Sequence, residues 1–555
     1  MLMSGAQIVV AALGKESVDV IFGYPGGQAL PLYDALYDCD IKHILTRHEQ
    51  GAVHAAEGYS RATGKVGVCI STSGPGATNL VTGIADANMD STPLVCITCQ
   101  VGVNLLGKDS FQEADISGIT TPITKHNFMV RETADLTDIL SRAFYIARSG
   151  RPGPVVVDIP RNVLQEKIEA PAYPQNISLR AYKPLFAGNT AAVDAVAYAI
   201  TKAARPLFFI GGGVVGSDTS AVMRRIIDKA GIPFVCSLMG LSAMPSSHPQ
   251  HLGMVGMHGS YAANMAVSNC DLLIGCGVRF DDRVTSAIEH FAPNAKIVHF
   301  DIDLSEINKL VKTDYRVASD LRWSLPLLHE KLSPADYSEW QEKIAAWKLE
   351  YSPTYDKAST LIKPQQVIEE VNKIKASNAI IVTDVGQHQM WAAQYADLSE
   401  PRTFITSGGL GTMGYGLPAA IGAQIALPDR EVWLFSGDGS FMMNCQEMAT
   451  AVEHELPVKI IVLNNFGLGM VRQWQRSFYE NRCSNSRHNT PTDLAKLAEA
   501  FGARGISITE KEQLIPALME AKNRKGPVLV NVSVDEMENV LPMVAPNAPL
   551  NNMLR

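Results

Sequence analysis

The sequence predicts an α/β protein made of three doubly wound parallel-sheet domains, and three observations carry that expectation. At 555 residues the chain is long enough for about three ordinary domains. Short apolar runs that end in glycine turns alternate with stretches of helical periodicity along its length, the pattern of parallel strands covered by helices on both faces. Two irregular stretches, Gln165 to Asn189 with three prolines and the polar Leu332 to Lys363, interrupt the alternation and are expected to be linkers. They leave domains at 1–180, 190–335 and 360–540, followed by a tail at 541–555.

Composition excludes several function classes. Apolar residues at 46% and charged residues at 19% describe an ordinary globular chain. A net charge of −8 with no long Lys/Arg run argues against nucleic acid as a partner. No apolar run approaches the roughly 18 residues that span a bilayer, so no membrane segment is expected. No basic segment precedes Ile8–Ala12, so no signal peptide is expected either. Nine cysteines, mostly inside apolar runs, suit a reducing cytoplasm. Cys96 and Cys99 supply only half a zinc site and are expected in the core.

In the first block Val20-Ile-Phe-Gly-Tyr-Pro-Gly26-Gly27 is a strand running into a tight turn, followed by a helix over 29–37. Ile44-Leu-Thr-Arg-His-Glu49-Gln50 is a second strand with a polar tip ahead of a helix over 52–62. Val66 to Gly76 and Pro93 to Thr98 repeat the strand pattern. His48-Glu49 does not extend to a zinc-protease motif, because position 52 is Ala. Taken alone, Glu49 reads as a solvated carboxylate at a helix start.

In the middle block Pro206–Ile210 leads into Gly211-Gly-Gly213, and Pro233–Leu238, Asp271–Cys276 and Lys296–Asp303 are further strands. The triple glycine serves packing as readily as nucleotide binding. Asp301, at a strand end, is the better candidate for a ribose or adenosine contact.

In the last block Ala379–Val382 ends near Gln387 and His388. The loop Ser407–Gly416 contains a literal G-x-G-x-x-G at Gly409, Gly411 and Gly414. A dinucleotide reading fails there, since no acidic residue ends a following strand about 20 residues on. The stretch Glu431–Asn465 organises the block. Two buried strands flank a helix suggested by Phe441, Cys445, Met448 and Val452, which places Gly437-Asp438-Gly439 and Asn464-Asn465 at one carboxyl edge. Gly437 and Gly439 admit a phosphate close to the backbone, and the helix starting near Ser440 aims its amides at it. Asp438 and Asn465 are hard oxygen ligands suited to Mg²⁺. Met470, Val471 and Trp474 form an apolar helical face that as a bare pattern reads as core.

Gly437-Asp438-Gly439 followed by Asn464-Asn465 resembles the signature of the thiamine-diphosphate enzymes. The resemblance implies their thiamine-diphosphate-binding fold and Mg²⁺ held by Asp438, Asn465 and the Gly467 carbonyl. It also implies cofactor contacts from Gly26, Gln387, His388, Met413, Gly439 and Ser440. Glu49 takes the activating role at the aminopyrimidine ring, where proximity replaces a strong external base.

Thr72–Asn79, Asp109–Glu113, Ser149–Pro160, Leu252–Gly259 and Gly277–Arg283 are similar to the acetohydroxyacid synthases within that family, in particular to the short bacterial form called isozyme II. That resemblance implies decarboxylation of pyruvate and joining of its two-carbon remainder to a second pyruvate or to 2-oxobutyrate. The products, 2-acetolactate and 2-aceto-2-hydroxybutyrate, lead to valine, leucine and isoleucine. Arg151, His258, Arg279, Asp301 and Asp320 map to an FAD that is not turned over. Phe111 and Gln112 map to the reacting centre, Arg283 to the second substrate's carboxylate, and Trp474 to its side chain. A homodimer or homotetramer in the cytoplasm with a small regulatory subunit is implied as well. The chain departs from the family pattern at Arg161, where Lys is usual, and at Cys99, where Gly is usual.

Overall fold

A computed structural model describes residues 2–174, 176–352 and 354–555. Met1, Gln175 and Pro353, which fall in the expected first domain and the two expected linkers, lie outside the described residues.

Three six-stranded parallel sheets organise the chain. The N-terminal sheet is built from Val20–Gly23, Lys42–Leu45, Gly67–Ser71, Leu94–Gln100, His126–Met129 and Pro154–Pro160. The C-terminal sheet is built from Ile380–Thr383, Phe404–Ile405, Val432–Ser436, Lys459–Asn464, Arg504–Ile508 and Val528–Ser533. Numbered in chain order within each domain, both sheets run 2-1-3-4-6-5. The central strands, Pro206–Ile210, Phe234–Cys236, His251–Met254, Leu272–Cys276, Lys296–Asp301 and Tyr315–Ala318, run 3-2-1-4-5-6, the order of dinucleotide-binding domains. Runs such as Val155-Val-Val157 are buried on both faces, which is why they are uniformly apolar rather than alternating.

Strand order reverses between strands 1 and 3 of the outer sheets and between strands 1 and 4 of the central one. Ligands of open sheets bind at such points, beyond the carboxyl ends. The turns after Gly23 and Ser71, after Thr383 and Ser436, and after Ile210 and Cys276 all lie there.

The outer domains meet through the helix that follows each one's second strand, Glu49–Thr63 and Gly416–Ala426. A Cβ on Gly58 would overlap the Ala419 carbonyl, and a Cβ on Gly422 would overlap the Ala55 carbonyl. Each helix therefore offers a glycine to the other's backbone. Beside the crossing His54 Nδ1 lies 3.0 Å from Glu57 Oε1, and Ser407 Oγ donates to Asp86 at 2.5 Å. Burial pushes the Glu57 carboxyl well up from its ordinary range.

Three expectations are corrected. Lys167–Glu169, inside the first expected linker, is a strand antiparallel to Leu2–Ser4. The second expected linker contains the helix Ser338–Glu350, which buries Trp340, Ile344 and Trp347 on the central domain, with Trp340 Nε1 donating to Pro206 O at 3.1 Å. Its apolar stripe is diluted by Glu339, Glu342 and Lys343. The single helix expected after Gly439 is two, Asp438–Phe441 and Glu447–Glu453. Asn444 sits between them and donates from Nδ2 to Gly414 O at 2.7 Å. Among the described residues no helix is long and apolar enough to cross a membrane.

Candidate active site

The N-terminal switch point builds a small cradle around Glu49. Glu49 opens its helix, and Asn79 Nδ2 donates to its Oε2 at 2.9 Å. A Cβ on Gly76 would stand 3.1 Å from Oε1, so space beside that oxygen exists only because residue 76 is glycine. Gly26 packs in the same way on Thr72, and Gly74, at φ +59°, packs on the backbone of Gln112. Gln112 itself holds φ +60°, the left-handed region that costs a non-glycine residue energy. Next to it Phe111 is 84% exposed.

The C-terminal switch point builds a second, polar group around Asp438. Its Oδ1 is buried and has no partner, whereas Oδ2 lies 3.0 Å from His488 Nδ1. Burial pushes the Asp438 carboxyl up, offset in part by His488 and by the Gly467 amide. Asn465 donates from Nδ2 to Gln387 Oε1 at 2.9 Å, which fixes the amide so that its oxygen remains for another ligand. An orphaned carboxylate oxygen beside an oriented amide oxygen fits a hard divalent cation. The Gly467 carbonyl accepts the Gly469 amide at 3.0 Å and keeps its second lone pair.

Around this group the cofactor candidates separate into two kinds. His388 Nε2 is buried without a partner, and burial lowers the imidazole pKa to about 3, so the ring is neutral. Gly386, at φ +148°, and Gly437 both lie against that ring and leave no room for a side chain. Gln387 is different. Its Nε2 donates to Gln473 Oε1 at 2.8 Å and to Glu538 O at 3.2 Å, so neither N–H is free for a diphosphate oxygen. In this arrangement Gln387 orients Asn465. Ser440 Oγ donates to Val385 O at 2.8 Å, leaving its role to the backbone, and a Cβ on Gly439 would press on Leu468 with the Met413 methyl 3.7 Å away. Gly411 and Gly414 have φ of +75° and +88°. The glycine spacing of that loop serves turns that carry Met413, in line with rejecting the dinucleotide reading.

The third feature is a cavity of about 1680 Å³ at the carboxyl edge of the central sheet, larger than the roughly 300–1,000 Å³ of small-molecule sites. Arg151, His258, Arg279, Asp301 and Asp320 all line it, and so do Arg283 and Trp474. In its lining Gly213 meets Gly277 backbone to backbone, and Gly211 behind it does the same. His258 Nδ1 is buried and unpaired, and burial, with Arg283 nearby, lowers its pKa to about 4. An oversized cavity, bare backbone at the switch point and an orphaned neutral imidazole fit a flavin dinucleotide. Arg151 already donates to Glu306 at 2.8 Å and Asp303 at 3.2 Å, and Asp320 caps the helix Leu321–Lys331 and pairs with Arg322.

At the mouth Arg283 lies 3.5 Å from Asp282, with both side chains exposed, and such pairs contribute little. Its guanidinium is available to a carboxylate. On the helix Gly469–Phe478 the buried residues are Arg472 and Gln473, whereas Val471 is 47% exposed. Met470, Val471 and Trp474 line the cavity, so the stripe that reads as core is the wall of a pocket. Residues beyond 535 pack against this helix and the central domain: Gln473 exchanges hydrogen bonds with the Val540 backbone, and Val544 N donates to Met257 O at 2.8 Å.

The structure thus gathers the flavin and second-substrate candidates in one cavity and the metal candidates beside it. Glu49, Gly26 and Gln112 form a separate group, and Glu49 contacts Asn79 rather than anything near Asp438. Sequence reasoning missed His488, Gln473 and Glu447. None stands in a recognisable motif position, and each acts through a contact distant in sequence.

Comparisons with known proteins agree with this layout. Models described as the N-terminal TPP-binding, central and C-terminal TPP-binding domains of thiamine pyrophosphate enzymes match residues 3–119, 193–328 and 384–532. The chain is 47% identical to the acetolactate synthase isozyme 2 large subunit of Escherichia coli, with 100% of this chain and 99% of that one aligned. It is 48% identical to the acetolactate synthase large subunit of Parasynechococcus marenigrum, over 98% of this chain and 90% of that one. It is 45% identical to a probable acetolactate synthase large subunit of Methanocaldococcus jannaschii, over 100% and 98%. With three matching domains in order and full-length similarity to these relatives, the chain belongs to the acetolactate synthase large-subunit family of thiamine pyrophosphate enzymes.

Proposed function

We propose that this chain is the catalytic subunit of a cytoplasmic acetolactate (acetohydroxyacid) synthase that joins the two-carbon remainder of pyruvate to a second pyruvate or to 2-oxobutyrate. The observation that carries this reading is the cavity that Arg283, held only by an exposed pair with Asp282, shares with the apolar residues Met470, Val471 and Trp474. A cation for a carboxylate beside a wall for a short alkyl group is what a small 2-oxo acid requires.

Thiamine diphosphate, when bound, supplies the nucleophilic carbon and the electron sink for decarboxylation. The protein's residues orient and protect it. Asp438 Oδ1, the Asn465 amide oxygen and the Gly467 carbonyl would hold Mg²⁺ on its diphosphate, and neutral His388 would donate to a phosphate oxygen. Met413 would support the bent conformer. Glu49 Oε1, the oxygen Asn79 leaves free, would share a proton with the aminopyrimidine nitrogen. FAD would lie along the central cavity, held by Arg151, His258, Arg279, Asp301 and Asp320. Two pyruvates give acetolactate and CO₂ with no net electron transfer, so the flavin is not turned over.

Because Glu49 and Asp438 form separate groups, one cofactor would bridge two chains. Exposed apolar residues rim both groups, Tyr24 and Phe111 on one side and Leu410, Met442 and Met443 on the other, as expected of an interface between copies. A dimer is then the smallest active unit, and a tetramer and a small regulatory subunit are compatible with it. Supplying pyruvate and 2-oxobutyrate together with Mg²⁺, thiamine diphosphate and FAD should yield both acetohydroxy acids by mass. Acetaldehyde or acetate as sole product would refute the reading.

A further inference from the structure

The turn that leads into the helix beginning at Glu49 is held from the other outer domain. Within its own domain His48 Nδ1 accepts from Gln50 N at 3.0 Å. The amide of Arg47 instead meets Glu447, which has no exposed surface. Arg47 N donates to Glu447 Oε1 at 3.0 Å and to Oε2 at 3.2 Å, and Thr450 Oγ1 donates to Oε2 at 2.7 Å. Two donors converge on a carboxylate that, when ionised, only accepts, beside a helix start that favours negative charge. Burial pushes the Glu447 carboxyl up and these donors pull in the opposite direction, which leaves it at about 7.

Two further contacts make the joint tight. A Cβ on Gly51 would collide with Glu447 Oε1, so the helix approaches the carboxylate only because residue 51 is glycine. Three residues before Glu447, Asn444 holds the carbonyl of Gly414, next to Met413. The segment 437–453 therefore contains the metal candidate Asp438 at its start and, near its middle, the carboxylate that holds the turn before the Glu49 helix.

From this geometry we infer that Glu447 is a positioning residue for Glu49: it fixes the start of Glu49's helix from the C-terminal domain, so that one segment serves two cofactor sites. The inference rests on the reading above, in which Glu49 activates the cofactor and each cofactor bridges two chains. Asp438 of a chain then serves one site, whereas Glu447 of that chain, through Glu49, serves the other.

The test uses the full-length enzyme and the exchange of the thiazolium C2 proton for deuterium on bound thiamine diphosphate. Glu447→Gln places a donor where an acceptor is needed. It should slow exchange at least tenfold at saturating cofactor and Mg²⁺, with cofactor Kd within about twofold of the parent. Gly51→Ala reaches the same carboxylate from the opposite side while raising helix propensity, and should slow exchange in the same direction. In the cofactor-free protein both variants should speed amide exchange over 44–52. In a Glu49→Ala background Glu447→Gln should slow C2 exchange no further. Wild-type exchange in both single variants, or an additive loss in that background, overturns the inference. Wild-type exchange in Glu49→Ala itself overturns the activating role on which it rests.

Mixed chains separate the two sites. Glu447→Gln mixed with Asp438→Ala leaves one site with intact Glu49, Glu447 and Asp438, so activity should exceed that of either parent. Glu447→Gln mixed with Glu49→Ala leaves no such site and should give no recovery. If Glu49→Ala complements Asp438→Ala but Glu447→Gln does not, Glu447 serves its own metal loop and the inference falls. If that control pair fails as well, the bridging reading fails with it.

Discussion

The N-terminal and C-terminal domains share a strand order of 2-1-3-4-6-5 but carry different chemistry at corresponding strand ends. After the second strand one domain places Glu49 at a helix start, whereas the other inserts Ser407–Gly416 with Met413 before its helix begins. After the third strand one has the small cradle Thr72-Ser-Gly-Pro-Gly76 and the other has Gly437-Asp438-Gly439. The apolar strands fix where an edge lies, and the turns decide whether that edge suits a neutral ring or a charged phosphate. Function diverged on loops, while the helix crossing between the domains kept its reciprocity.

The largest expected effect sharpens that division of labour. Glu49→Gln should lower kcat by about 10²–10⁴-fold, the range for a lost proton-transfer group, with cofactor affinity little changed. Asp438→Ala should act first on the affinities for Mg²⁺ and cofactor. Titrating both ligands against initial rates checks it. If Glu49→Gln raises the cofactor Kd and spares kcat at saturation, the two edges do not differ as described.

The helix crossing is the next place to break the comparison. Gly58→Val and Gly422→Val each force a side chain into the other helix's backbone, and overpacking of this kind costs about 1–3 kcal/mol. Because the two glycines share one crossing, the double variant should lose less than the sum. Denaturant midpoints for the three variants measure this. A strictly additive result would mean that the two contacts are independent.

Much of this was legible in the sequence, for reasons that differ by residue. Asp438 and Asn465 stood out because strand ends with fixed turn chemistry carry them, whereas Glu49, which alone reads as a solvated helix-start carboxylate, was singled out only by the family resemblance. The interior strands were legible because burial on both faces makes them continuous apolar runs. The edge strands His126–Met129, Tyr315–Ala318 and Arg504–Ile508 were not, since they are short and partly polar. Periodicity also could not distinguish a core stripe from a pocket wall at Met470, Val471 and Trp474, because it is silent about what lies opposite. Glu447 was illegible for a stronger reason: its partner Arg47 is 400 positions away.

Trp474 tests whether that stripe is a pocket. Trp474→Leu removes apolar wall at the cavity mouth, so the preference for 2-oxobutyrate over pyruvate as second substrate should fall. One methylene accounts for about 1–3 kcal/mol in a hydrophobic pocket, which bounds the change at roughly 10- to 200-fold. Product ratios from mixed substrates measure it. A loss of stability with an unchanged ratio would return Trp474 to the core.

The smallest effect sets the central domain against the two that flank it. Burial lowers His258 and His251 to about 4, against roughly 6.5 when unfolded. The unfolded chain therefore binds more protons between those values, and this contribution to stability is present above pH 6.5 and lost as pH falls toward 4. In the C-terminal domain burial lowers His388 to about 3 but raises two carboxyls against it, Asp384 to about 6 and Glu447 to about 7. At those carboxyls the folded state holds the extra proton, so the contribution is present at low pH and lost as pH rises through 6 to 7. Acidification from pH 7.5 to 5 should thus weaken the central domain relative to the C-terminal one. Domain-resolved hydrogen exchange in urea at the two pH values measures the difference. His251→Asn should reduce the central domain's pH dependence, and an unchanged slope would remove that histidine from the account.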